Sequence, residues 1–258
     1  MFPLNRPIDD WRGKRLWIVG ASSGIGASIA SQALSAGAKV ILSARRSERL
    51  HSLAGGSPNA LAIAFDVLSE HAWNDAYSEI CQHFGGVDLV VFCAAEYRPE
   101  RIWEVTPSGS KRTLGINLGS LYAGLAAVLP DMLERGAGGI AIVASVAGWI
   151  GLPKASVYGP SKAALINLAE ILYSDLHPRG LDVYLINPGF VDTQLTARND
   201  FRMPALQTPE NAAAAILRGI AAGRFEIHFP RRFTLLVKLL RMLPYRLRFA
   251  LIGQLVKT

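Results

Sequence analysis

Cysteine is scarce in this chain: two in 258 residues, Cys81 and Cys93, with neither metal-ligand spacing nor a secreted context. That excludes a disulfide scaffold and a thiolate metal centre; no metal is expected, and both cysteines read as free buried thiols without chemistry. The opening MFPLNRPIDDWRGKRLWIVG lacks the apolar stretch of roughly 7–15 residues that a secretory signal needs, so a cytoplasmic location is expected. Low complexity is missing too. The 24 glycines and 14 prolines are spread without a repeat, and no linker stands out. One domain is expected over residues 1–230, with 231–258 as a C-terminal extension of it.

Acid is absent from residues 231–258, which hold seven Lys or Arg. The formal charge of +7 therefore belongs to the tail, and residues 1–230 balance at twenty bases against twenty acids. A neutral body argues against nucleic acid as a partner. Charges also interrupt every apolar stretch of the tail before the roughly 20 residues needed to span a bilayer. The spacing predicts two basic amphipathic helices broken at Pro244, with Phe233, Leu236, Val237, Leu240 and Leu243 on one stripe and Thr234, Lys238 and Arg241 on another. Such a tail either lies in a membrane interface or packs on the body or on another subunit; both readings stay open.

Short apolar runs are plentiful: Leu16–Val19, Val40–Leu42, Leu61–Phe65, Leu89–Cys93, Ile140–Ala144, Val183–Ile186 and Ile227–Phe229. Helical spacing fills the gaps at 24–36, 69–83, 109–134, 156–177 and 209–222. This alternation predicts an α/β fold, a doubly wound parallel sheet of about seven strands with helices on both faces. In such folds ligands bind beyond the carboxyl ends of the strands.

The residues that follow those ends carry chemistry. After the first run comes Gly20-Ala-Ser-Ser-Gly-Ile-Gly26, a glycine-rich turn opening a helix, whose free N–H groups and dipole favour a pyrophosphate. The second run ends Ala44-Arg45-Arg46, where an acid would accept the ribose hydroxyls of NAD and an arginine suits a 2′-phosphate. In VYGPSKAAL, Tyr158 and Lys162 lie one helical turn apart on one face, with Pro160 tolerated in a first turn. A nearby cation favours a phenolate, so Lys162 is expected to lower the pKa of Tyr158.

With GASSGIG, Asp66 after the third strand, Asn117 in GINLGS, Ser145 in IVASVAG, YGPSK and NPGFVDT in this order, the chain resembles the classical short-chain dehydrogenases/reductases over roughly residues 12–230. The resemblance implies a Rossmann-type fold and an enzyme that interconverts a ketone or aldehyde with an alcohol. It assigns catalysis to Asn117, Ser145, Tyr158 and Lys162: Tyr158 as proton donor or acceptor, Ser145 holding the substrate oxygen, Lys162 on the nicotinamide ribose, and Asn117 supporting a water that links Lys162 to solvent. It assigns the cofactor to Gly20, Ser22, Ser23, Gly24, Ile25, Gly26, Arg45, Arg46, Asp66, Val67, Cys93, Ala94, Pro188, Gly189, Val191 and Thr193, together with Tyr158 and Lys162. NADP(H) is implied over NAD(H), with a homodimer or homotetramer as the assembly. Cys93-Ala94-Ala95 departs from the family's Asn-Ala-Gly. Trp149, Ile150, Leu152, Phe190, Leu195, Phe201 and Met203 are expected around a lid and an apolar pocket, favouring a lipophilic, steroid-like or lipid-like substrate. The alternative is a dinucleotide-sensing or scaffold protein without turnover, which would be expected to lose the tyrosine or lysine; both are present.

Overall fold

A computed structural model describes residues 3–199 and 203–255. Seven parallel strands make one sheet: β1 (Arg15–Val19), β2 (Lys39–Ala44), β3 (Ala60–Ala64), β4 (Leu89–Phe92), β5 (Gly138–Val143), β6 (Leu181–Pro188) and β7 (Glu226–Phe229), in the spatial order 3-2-1-4-5-6-7. The order reverses between β1 and β4, so the crevice at the doubly wound switch point opens beyond their carboxyl ends.

Each strand sends alternate side chains to opposite faces. In β1, Trp17 and Val19 join a core with Trp73 and Ile80 of α3 (Glu70–Phe84), with α5 (Ser120–Arg135) and with α6 (Tyr158–Leu176). Leu16 and Ile18 face the other way, onto Ile29 of α1 (Gly24–Ser35) and Ile216 of α7 (Pro209–Ala221). The central strands β1 and β4 are therefore apolar on both sides, which is why their runs look continuous in sequence, whereas β7 at the edge alternates Glu226 and His228 with Ile227 and Phe229. The indole rings of Trp17 and Trp73 meet edge-on at 5.6 Å, and their N–H groups donate to Ser43 Oγ at 2.9 Å and to the Val67 carbonyl at 3.1 Å. Both large rings are thus buried without an orphan donor.

Before the tail, three features differ from the sequence expectation. A short helix, α2 (Ser47–Ala54), lies between β2 and β3 and buries only Leu50, too little to give a periodic signal. The helix expected over 109–134 is α4 (Pro107–Leu114), a π-helical turn at Gly115–Gly119, and then α5. Cys81 is exposed on α3, not buried.

The tail forms α8 (Arg231–Met242) and α9 (Tyr245–Leu255) and packs on the body. Val237 and Ile252 join Val146, Trp149 and Ile150 in a third apolar cluster, flanked by Phe233 and Leu240. The inward face is rotated from the expected one: Thr234 is fully buried and its hydroxyl meets His228 Nδ1 at 2.7 Å, whereas Leu236 is 64% exposed. Lys238 pairs with Glu226 and stands 5.0 Å from the Trp149 ring. Lys257 lies outside the described residues.

Candidate active site

At the carboxyl edge of the sheet the loops after β1 to β6 enclose a cleft of about 540 Å³. Its floor is the glycine turn after β1. Gly20 has φ +98°, and a Cβ there would fall 2.6 Å from the backbone nitrogen of Ala94, so only glycine lets the β1 and β4 loops approach this closely. Ser23 caps α1 without a side-chain capping bond, and the first turn of α1 holds no acid. The helix dipole and its amides are left to an anion. These residues fit a dinucleotide.

Arg46 reaches over this turn, donating to Ser22 Oγ at 2.9 Å and Ser23 Oγ at 2.8 Å. Arg45 is exposed at the rim beside Ala44, and Asp66 and Val67 close the same end of the cleft. Asp66 turns its carboxylate onto the Leu68 amide at 3.0 Å, which fixes the bend after β3. Ile25, Cys93, Ala94, Pro188, Gly189, Val191 and Thr193 line the walls. Of the sequence-predicted cofactor residues only Gly26 does not line the cleft: it sits behind Gly20, and a Cβ would collide with the Gly20 carbonyl.

The other end of the cleft holds the reactive groups. Ser145 caps the 3₁₀ turn Val146–Gly148 after β5, its Oγ accepting from the Ala147 amide at 3.1 Å. The Tyr158 phenol is hydrogen-bonded to Ser145, which favours its ionised form, yet burial outweighs this and pushes the phenol up to about 12. Lys162 donates to the Val143 carbonyl at 2.8 Å, with its Nζ 5.5 Å from the Tyr158 ring centroid. Burial brings the Lys162 ammonium down to about 8. The expectation that Lys162 depresses Tyr158 is therefore not met in the protein alone, because desolvation of the phenol dominates.

Asn117 does not line the cleft; it is buried one layer behind, in the π-helical turn. Its Oδ1 accepts from the Glu96 amide at 2.7 Å, and its Nδ2 donates to the Glu96 carbonyl at 3.0 Å and to Ser161 Oγ at 3.0 Å. Ser161 Oγ donates in turn to the Tyr158 carbonyl at 2.7 Å. Asn117 thus ties the loop after β4 to the first turn of α6, from which Tyr158 and Lys162 project.

Of the cleft residues that escaped the sequence reading, two stand beside the catalytic set. Glu96 is gripped by Asn117 and held by Arg112 at 3.3 Å, and Tyr97 places its ring edge-on to Tyr158 at 4.9 Å between centroids. The only available signal was their position just past β4. Of the residues expected around the substrate, Leu195 lines the cleft, but Trp149 and Ile150 turn away beneath the tail helices and Phe190 packs on Phe233 at 5.7 Å. Leu152 flanks the same tail cluster, Met203 Sδ meets the Asn199 amide at 3.3 Å, and Phe201 lies outside the described residues.

Residues 14–202 match the sequence model of the short chain dehydrogenase family. The chain belongs to that family. An uncharacterized oxidoreductase of Myxococcus xanthus is 32% identical over 231 residues, 88% of this chain and 91% of the relative. One from Staphylococcus epidermidis is 31% identical over 201 residues, 78% of this chain and 87% of the relative. Among solved structures, a short chain dehydrogenase/reductase from Burkholderia phymatum in complex with NAD superposes with a TM-score of 0.81 at 24% identity, covering 90% of this chain and 94% of that one. A short-chain dehydrogenase from Streptomyces avermitilis gives 0.79 at 24% identity, covering 95% and 98%. The protein is an oxidoreductase of this family.

Proposed function

We propose that this short-chain dehydrogenase is an NADP(H)-dependent carbonyl reductase, acting in the cytoplasm on a lipophilic ketone or aldehyde. The observation that carries the reading is the hydrogen-bonded pair of Ser145 and Tyr158 at the end of a cleft whose other end is lined by the glycine turn and two arginines. A nicotinamide dinucleotide bound in the cleft supplies the hydride.

Hydride addition leaves an alkoxide. The Ser145 hydroxyl donates to the carbonyl oxygen, and Tyr158 protonates it as charge develops, so both groups favour the transition state over the ketone. The phenol is protonated through the neutral range and so holds the proton that the alkoxide needs. Lys162, buried one turn along, supplies positive charge beside the phenol and, below about pH 8, a proton to replace the one given up. Asn117 acts through Glu96 and Ser161 and holds the pair in register.

Arg45 and Arg46, with Ala44 in place of an acid at the end of β2, support NADP(H): two cations at the rim suit a 2′-phosphate. The lipophilic class rests on Leu195 and the Tyr97 ring at the Tyr158 end. Exposed Tyr122 and Leu133 on α5 and Ile171 on α6 support a homo-oligomer. The test is NADPH oxidation by the purified protein over matched lipophilic and polar ketones. Turnover that favours the lipophilic set supports the reading, and turnover with NADH alone overturns the cofactor assignment.

A further inference from the structure

Seventeen large apolar side chains are exposed among the described residues, and eight of them fall between Leu235 and Leu251. This is not the face that holds the tail to the body. Phe233, Val237 and Leu240 already meet the cluster around Trp149, while Leu235, Leu239 and Met242 follow i, i+4, i+7 spacing on the outer side of α8. Met242 is 81% exposed. Along α9, Phe249 and Tyr245 lie with their rings tilted 33° at 5.6 Å between centroids and stay open to solvent, while Ile252 anchors the helix. Arg231, Arg232, Arg241 and Arg246 are exposed among them, and residues 231–255 contain no acid.

We propose that the outer face of α8 and α9 docks on an anionic lipid surface. An apolar stripe with a cationic border and aromatic side chains matches a helix pair lying in the plane of the headgroups, with arginine stems reaching along the acyl boundary to phosphates. A second copy seated by two-fold symmetry would bring the same arginines face to face with no acid between them, so the charge opposes self-pairing. Spanning is not the mode. The one described stretch long and apolar enough to cross a bilayer, Pro107–Arg135, is half buried against the core in its most apolar window. The proposal does not rest on the reductase reading, and its readout is partitioning.

The experiment is flotation of the full chain with vesicles of phosphatidylcholine alone and of phosphatidylcholine mixed with phosphatidylglycerol. Binding to the mixed vesicles, weakened by salt, is expected. At about 1 kcal/mol per arginine near the surface, Arg231→Gln with Arg232→Gln weakens it by about thirtyfold. Leu239→Ser with Met242→Ser, both exposed on the outer side of α8, abolishes it while the melting temperature stays unchanged. Failure to bind the mixed vesicles overturns the proposal, and so does equal binding to both compositions. Self-association in place of vesicle binding, lost in the leucine and methionine variant, overturns it in favour of a contact between copies.

Discussion

Tyr97 stands edge-on to Tyr158, 4.9 Å between ring centroids and 64° between planes, and its hydroxyl donates to Asn199 Oδ1 at 2.8 Å. One residue thus touches both Tyr158, the proposed proton donor, and the segment after β6 that lines the same cleft. Arg198 ties the same segment to the Tyr97 carbonyl at 3.0 Å. Tyr97→Phe keeps the ring contact and loses the bond to Asn199, worth about 1 kcal/mol. The expected result is a KM for the ketone raised about fivefold with kcat nearly unchanged. Tyr97→Ala removes the ring contact as well and lowers kcat. Steady-state kinetics of the two variants separate these effects.

Lys162 is held down to about 8 against an ordinary 10.5 because its ammonium is buried. Below about pH 8 the folded chain carries that charge at a cost. Between 8 and 10.5 the unfolded chain keeps a proton the folded one has released, so stability rises with pH. Lys162→Met removes the penalty and leaves the Val143 carbonyl short of one donor, for a net gain of roughly 2 kcal/mol below pH 8 that disappears towards pH 10. The variant is expected to be more heat-stable at neutral pH and inactive. Thermal unfolding of the cofactor-free protein across this pH range, beside wild type, checks it.

Burial pushes the Cys93 thiol up to about 11, against the opposing pull of the Lys162 cation. Thiolate is the reactive form, so at about pH 8 Cys93 stays inert. Iodoacetamide is expected to modify only exposed Cys81, as read by peptide mass spectrometry. Rapid labelling of Cys93 at that pH contradicts this picture of the β4 loop.

Arg46 lies over Ser22 and Ser23 at the rim of the cleft, and Arg45 beside it. A hydrogen bond to a charged group is worth about 1.5–3 kcal/mol, so Arg45→Ala and Arg46→Ala each raise the KM for NADPH by roughly tenfold or more and leave that for NADH little changed. Ala44→Asp places a ribose acceptor where none stands and moves preference towards NADH. The ratio of kcat/KM for the two cofactors reads all three.

The strands and the motif residues were legible because the central strands are buried on both faces and each motif has a fixed spacing. What escaped depends on partners distant in sequence. The π-helical turn at Gly115–Gly119 exists where Asn117 turns inward to Glu96 and Ser161, and a helical period over 109–134 has no means of showing that. Thr234 reads as a polar-face residue until His228 and the Pro230 carbonyl are seen beside it, and Leu236 reads as core until α8 is seen rotated on the body. Tyr97 belongs to no motif; only the approach of the β4 loop to α6 gives it a role. Trp149 and Ile150 follow Ser145 closely, but the 3₁₀ turn at Val146–Gly148 sends them under the tail.

The central claim is that Tyr158 gives a proton to a carbonyl oxygen held by Ser145. Its most direct test compares NADPH-dependent ketone reduction by wild type and Tyr158→Phe, with the NADPH dissociation constant measured for both. A positioned proton donor contributes about 10²–10⁴-fold, so the variant is predicted to lose at least that much kcat while binding NADPH as tightly as wild type. Turnover within tenfold of wild type in the variant contradicts the account.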